Sequence, residues 1–171
     1  MDIPPQAGRL LGSGRTASNV NTYQRAQNAT ANSLRDIAGR EDIVTLVQTF
    51  YLRAFADPLI GPIFTQVVPL DLTRHLPIMA DFWQTVLFKA GLYNRNALQV
   101  HFEIHAKEPL TPEHFNRWLQ LWGQSVDELF SGDKAELAKA AAHQIAGSML
   151  RRVTGRQASA HSTISLRPPA D

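Results

Sequence analysis

Four side chains combine reactive chemistry with apolar surroundings: Tyr51, His75, His101 and Trp118. A neutral imidazole offers a nitrogen lone pair to a metal ion; a phenol can donate or accept a hydrogen bond, and an indole N–H can only donate. Every Phe and Trp, and every Tyr except Tyr23, lies between Phe50 and Phe130, so these polar groups sit in the stretch that must form the core. A buried polar group without a partner is costly. The four therefore either serve a common ligand or are core residues satisfied one by one. Residue type leaves both open, because a Tyr or Trp on an apolar helical face often pairs with backbone and a lone helical His is often partly exposed.

A second constellation competes for the metal. His105 follows His101 by four residues, so on a continuous helix both could face one ion, with Glu113 or His114 completing a tetrahedral zinc site. The order His-Phe-Glu-Ile-His puts the acid at the centre of the spacing and not beside the first His, unlike a metalloprotease helix. Otherwise His105 reads as a surface residue or a neighbour of the pocket edge, and His143 and His161 have no assigned role. The absence of Cys excludes disulfides and thiolate ligands and suits a reducing compartment.

The elements that must position these groups are helices. Ile43, Leu46, Val47, Phe50, Tyr51 and Phe55 recur at three- and four-residue spacing, which predicts a helix entering near Asp42 and stopping at Asp57-Pro58. Pro77 fits the first turn of the next helix, with His75 at its entrance, Phe82, Trp83, Val86 and Leu87 on its buried side, and Gly91 at its end. Residues Asn94 to Ala106, which contain His101, read as a loop followed by two helical turns. Thr111-Pro112 reads as an N-cap and first helical residue, leading into Phe115, Trp118, Leu119, Trp122, Val126 and Leu129. A last helix is predicted from Asp133 as cap, through Leu137, Ala141, Ile145 and Met149, to about Val153. No alternating strand pattern and no internal repeat is present.

A chain of 171 residues is expected to form one core. Residues 1–40, rich in Gly, Ser, Ala, Asn, Gln and Arg, lack periodic apolar positions and read as a flexible extension. Residues 155–171 read likewise as a tail. The net charge of +2 belongs to the ends: residues 42–150 hold eight Lys and Arg against eleven Asp and Glu. No helix or face concentrates basic residues with a reading motif, which argues against nucleic acid. No apolar run has secretory or membrane-spanning length, and a cytoplasmic monomer is expected.

The segments TFYLRAF, GPIF, HLPIMADFW, LYNRNALQVHFEIH and TPEHFNRWLQLW follow one another in that order. This pattern resembles the group III truncated haemoglobins and covers about residues 41–154. The resemblance implies an all-α, two-over-two helical sandwich around haem b whose ferrous iron takes O2, NO or CO. It assigns the proximal iron ligand to His101, placed after Tyr93-Asn94-Arg95-Asn96, with apolar walls from Leu98, Val100, Phe102 and Ile104. It makes Tyr51, following Phe50, the distal hydrogen-bond donor, joined by Trp118, with His75 as a gate. Phe50, Phe64, Met79, Phe82 and Trp83 then read as pocket lining or ordinary core, and His114 or Arg117 as a partner for a haem propionate or part of a solvated face. Relatives commonly have Gly and Pro where this chain has Arg95 and Ala97. The implied activity is O2 and NO chemistry, as an NO dioxygenase or peroxidase, or gas binding without turnover. With no Gly-rich dinucleotide fingerprint in the sequence, multi-turnover chemistry would need an external reductase.

Overall fold

Side-chain caps and apolar spacing set the helices of this chain, whose computed structural model describes residues 34–161, with side chains through Gly155. Helix α1 spans Arg40–Ala56; a π-helical turn at Ile63–Val67 follows, then α2 (Leu72–Phe88), α3 (Ala97–Lys107), α4 (Pro112–Leu129) and α5 (Asp133–His161). No strand occurs among the described residues. The expectations for residues 1–33 and 162–171 lie outside them.

The predicted face of α1 is the buried one: Ile43, Leu46, Val47, Phe50, Tyr51 and Ala54 turn inward. Asp57 ends the helix and reverses the chain, its carboxylate accepting from the N–H groups of Leu59 and Ile60 at 3.0 and 3.1 Å. The turn then passes so close to α1 that a Cβ on Gly61 would lie 2.7 Å from the Phe55 carbonyl oxygen.

Helix α2 starts earlier than Pro77 suggested. The Asp71 carboxylate caps it by accepting from the Arg74 N–H, so His75 lies within the helix and Pro77 beyond the first turn. The missing Pro77 N–H would have bonded the Thr73 carbonyl; Thr73 and Pro77 are both exposed, so water can take its place. At the other end Lys89, not Gly91, is the left-handed residue directly after the helix, with φ 56°. Helix α3 is a full 11 residues, longer than the two turns expected, because Asn96 caps it through the Gln99 N–H. Helix α4 begins at Pro112 as predicted, and the Thr111 N–H donates to His114 Nδ1 at 3.0 Å.

Helix α5 is not capped by Asp133, its first residue. The cap comes from a distant part of the chain: the Asp36 carboxylate accepts from the N–H groups of Lys134 and Ala135 at 2.8 and 2.9 Å. Only glycine fits beneath it, since a Cβ on Gly132, at φ 145°, would meet Asp36 Cβ at 2.5 Å. The helix also runs past Val153 to His161, because Arg, Gln and Ala sustain a helix without an apolar stripe.

The packing centre is Trp122. It stacks on Trp83 of α2 at 4.2 Å and on Trp118 at 5.9 Å, meets Phe50 of α1 edge-on at 5.5 Å, and donates its indole N–H to the Ala138 carbonyl of α5. One ring thus joins four helices.

The domain begins before residue 40. Ile37 is 2% exposed, Arg35 pairs with Asp42, the Ser131 N–H bonds the Arg35 carbonyl, and the compact unit starts at Arg35. The segment before α1 is therefore part of the core, contrary to its composition. A chain starting at Gly39 should be less stable than one starting at Leu34 by roughly 2–4 kcal/mol, the sum of one buried Ile and one helix cap. Thermal unfolding of the two, compared at equal concentration, should differ by several degrees, and equal midpoints would refute the packing role.

Candidate functional site

Tyr51, His75, His101 and Trp118 come together. They wall a single cavity of about 350 Å³, within the range of small-molecule and cofactor sites. Its remaining surface is mostly apolar, with Ile63 and Phe64 from the π-helical turn, Met79, Phe82 and Trp83 from α2, Phe115 from α4, and Ile145 and Met149 from α5.

His101 has the environment a metal ligand needs. Its Nδ1 lies 2.8 Å from the Ala97 carbonyl oxygen, which can only accept, so Nδ1 carries the proton and Nε2 the lone pair. Burial holds the imidazole below its ordinary value, partly offset by that hydrogen bond, and the ring stays neutral. A neutral imidazole oriented by a backbone carbonyl and set in an apolar cavity is a donor that haem iron accepts; on this test the residues present fit haem.

Tyr51 and His75 pair with each other, the phenol oxygen standing 2.8 Å from His75 Nε2. Burial raises the Tyr51 phenol well above its ordinary value. Burial lowers His75, helped by the positive charge of Arg95. Both side chains are neutral near pH 7, so one proton lies between the two heavy atoms. His75 is thus held inside the cavity wall rather than swung outward. Trp118 is fixed by its stack on Trp122 and an edge contact with Phe50.

Several residues expected at the site are elsewhere. Phe50 is buried behind the wall, touching Tyr51, Trp118 and Trp122. Leu98 faces a separate shallow recess against Ser148 and Arg152 of α5, and Phe102 is absent from the cavity wall. The reason is periodicity. Leu98, Val100, Phe102 and Ile104 recur every two residues, the spacing of a strand face; on a helix the face that meets the cavity is Ala97, Val100, His101 and Ile104. Arg117 is also not a wall residue: its Nε donates to the buried carboxylate of Asp57 at 2.6 Å. His114 does reach the wall, with Nδ1 already engaged by Thr111.

His105 is neither at the surface nor at the cavity. It is buried, and its Nδ1 accepts from the Leu110 N–H at 3.0 Å, tying the end of α3 to the next connection. Among the described residues no three His, Asp or Glu side chains converge as a metal cluster would require, which leaves the zinc arrangement without support. Tyr93, Arg95, Asn96, Ile145 and Met149 are wall residues that were not among the sites read from sequence. Arg95 had stood out only as a departure from the family pattern.

The fold is a small helical globin sandwich around an apolar cavity, and comparison with known proteins agrees. No family model matches the chain. Over 110 residues it is 26% identical to the group 3 truncated hemoglobin ctb of Campylobacter jejuni, covering 63% of this chain and 84% of that protein. The crystal structure of group III truncated hemoglobin from Campylobacter jejuni superposes with a TM-score of 0.60 at 25% identity, covering 68% of this chain and 92% of that one. The chain therefore resembles the group III truncated haemoglobins in both sequence and fold, and its helices form a truncated-globin sandwich.

A pH dependence follows from His75. Its folded value is depressed below 6.5, so below that pH the unfolded chain binds protons more readily than the folded one. Stability contributed here is intact above 6.5 and is lost as pH falls below it. Denaturant unfolding of the haem-free protein between pH 7.5 and 5 should show this fall, and His75→Phe should make it shallower; an unchanged slope would mean that the imidazole is not desolvated.

Proposed function

We propose that this chain binds haem b through His101 Nε2 and uses Tyr51, His75 and Trp118 to handle a diatomic ligand in the cavity, for O2 and NO chemistry in preference to bulk transport. The observation that carries the reading is the His101–Ala97 hydrogen bond, which fixes the tautomer with its lone pair on Nε2. Bound haem would supply a ferrous iron able to take O2, NO or CO.

The other residues act as donors. The Tyr51–His75 pair has two neutral arrangements. In one the phenol donates to Nε2 and its hydrogen is unavailable to a ligand. In the other Nε2–H donates to the phenol oxygen, and the phenolic hydrogen is free for the ligand. Trp118 can only donate, and among the described residues its N–H has no hydrogen-bond partner. Two donors on a partly anionic ligand, at about 1.5–3 kcal/mol each, lower its dissociation constant by roughly two to four decades. A ligand retained so long is better consumed than delivered. Conversion of NO to nitrate, with electrons from a separate reductase, uses such retention; a sensor or scavenger would use the same donors without turnover.

His101→Ala should abolish stable haem uptake, while His143→Ala, on the exposed side of α5, should leave it intact; absorbance after haem titration reads both. Equal haem uptake by His101→Ala and the parent would overturn the ligand assignment.

Tyr51→Phe removes one hydroxyl and keeps the ring. It should speed O2 dissociation by about ten-fold or more, since about 1.4 kcal/mol is one decade, and should change CO dissociation far less, because CO carries less negative charge on its outer atom. Stopped-flow displacement measures both. Equal effects on the two gases would make the phenol a packing group. Mixing the O2-loaded protein with NO, with and without a reductase fraction, then separates turnover from simple binding.

A further inference from the structure

Among the described residues, Arg95 is the one Lys or Arg side chain on the cavity wall, and no Asp or Glu joins it there. Five other arginines of the domain, Arg35, Arg40, Arg53, Arg74 and Arg117, each pair with a carboxylate. Arg95 has no such partner among the described residues. Its charge is nonetheless felt inside, where it opposes protonation of His75.

The loop that carries Arg95 is held at both ends. The N–H groups of Leu92 and Tyr93 donate to Thr85 Oγ1 at 3.0 and 3.1 Å, the Tyr93 ring packs edge-on against Phe82 at 5.1 Å, and Asn96 caps α3. An apolar cavity with one unpaired guanidinium at an exposed rim suits an amphipathic ligand, with its apolar body inside and an anionic group at its edge. A guanidinium presents a planar fork that matches a carboxylate in two parallel hydrogen bonds.

We propose that Arg95 binds a carboxylate at the edge of the ligand that fills this cavity, which on the haem reading above is a propionate. Of the two residues read from sequence as candidate propionate partners, Arg117 is committed to Asp57 and His114 has its Nδ1 engaged by Thr111.

The test compares haem with haem dimethyl ester, which has the same ring and iron but no free carboxylates. Each is loaded into the full chain, and its loss to excess apomyoglobin is followed by absorbance. The parent should hold haem about ten-fold longer than the ester or more, consistent with one charge-assisted pair. Arg95→Gln should shrink that preference by about ten-fold without changing the rate for the ester, and Arg151→Gln, on exposed α5, should retain it. If Arg95→Gln keeps the parent's preference, or the parent holds haem and ester equally, this proposal falls while the haem reading stands. If the parent takes up neither compound, the haem reading falls and the proposal with it.

Discussion

The structure depends on the stacking of Trp122 between Trp83 and Trp118. A large ring at the meeting point of four helices fixes their separations, because interiors pack at the density of organic crystals and transmit any displacement to their neighbours. Aromatic pairs in such geometry contribute about 0.5–1.5 kcal/mol beyond their buried area. Here the stack also leads to the cavity: Trp118 is both its outer member and part of the wall. The orientation of a donor inside the site is thus set by the core.

The buried Tyr51, His75 and His101 of the cavity obey a second constraint. In apolar surroundings they must be neutral and paired. Tyr51 and His75 meet this by bonding to each other, and His101 by bonding to the backbone one turn earlier. The His101 pairing leaves Nε2 over for a ligand, and the Tyr51–His75 pairing leaves the phenolic hydrogen over when Nε2–H is the donor. The same burial that makes an unpaired proton costly keeps both imidazoles in the form that can accept a proton or a metal.

Local patterns in the sequence carried much of this. The buried face of α1 and the start of α4 at Thr111-Pro112 depend on neighbours within a turn, and the convergence of Tyr51, His75, His101 and Trp118 was legible once the ordered motifs were matched to a family. Features that depend on distant partners were not legible. Nothing near Asp133 announces that Asp36 caps its helix, and nothing near Arg117 says that its partner is Asp57. The buried Ile37 was hidden by the polar composition around it. Leu98 and Phe102 were misread for a different reason: four apolar residues at even spacing suggest one wall, but a helix turns 100° per residue and sends alternate ones to different sides.

The cap that Asp36 places on α5 joins residues 98 and 99 positions apart. Such a contact cannot form until a long loop closes, and the entropy of closure must be met before the contact gives anything back. Helices α1 to α4 and their shared aromatic rings can assemble from nearer neighbours, so the cap belongs to the late part of folding. A late contact governs how slowly the native state comes apart more than how fast it forms. Because α5 also carries Ile145 and Met149 of the cavity wall, this bond at the far end of the helix works as a latch on the lifetime of the closed pocket.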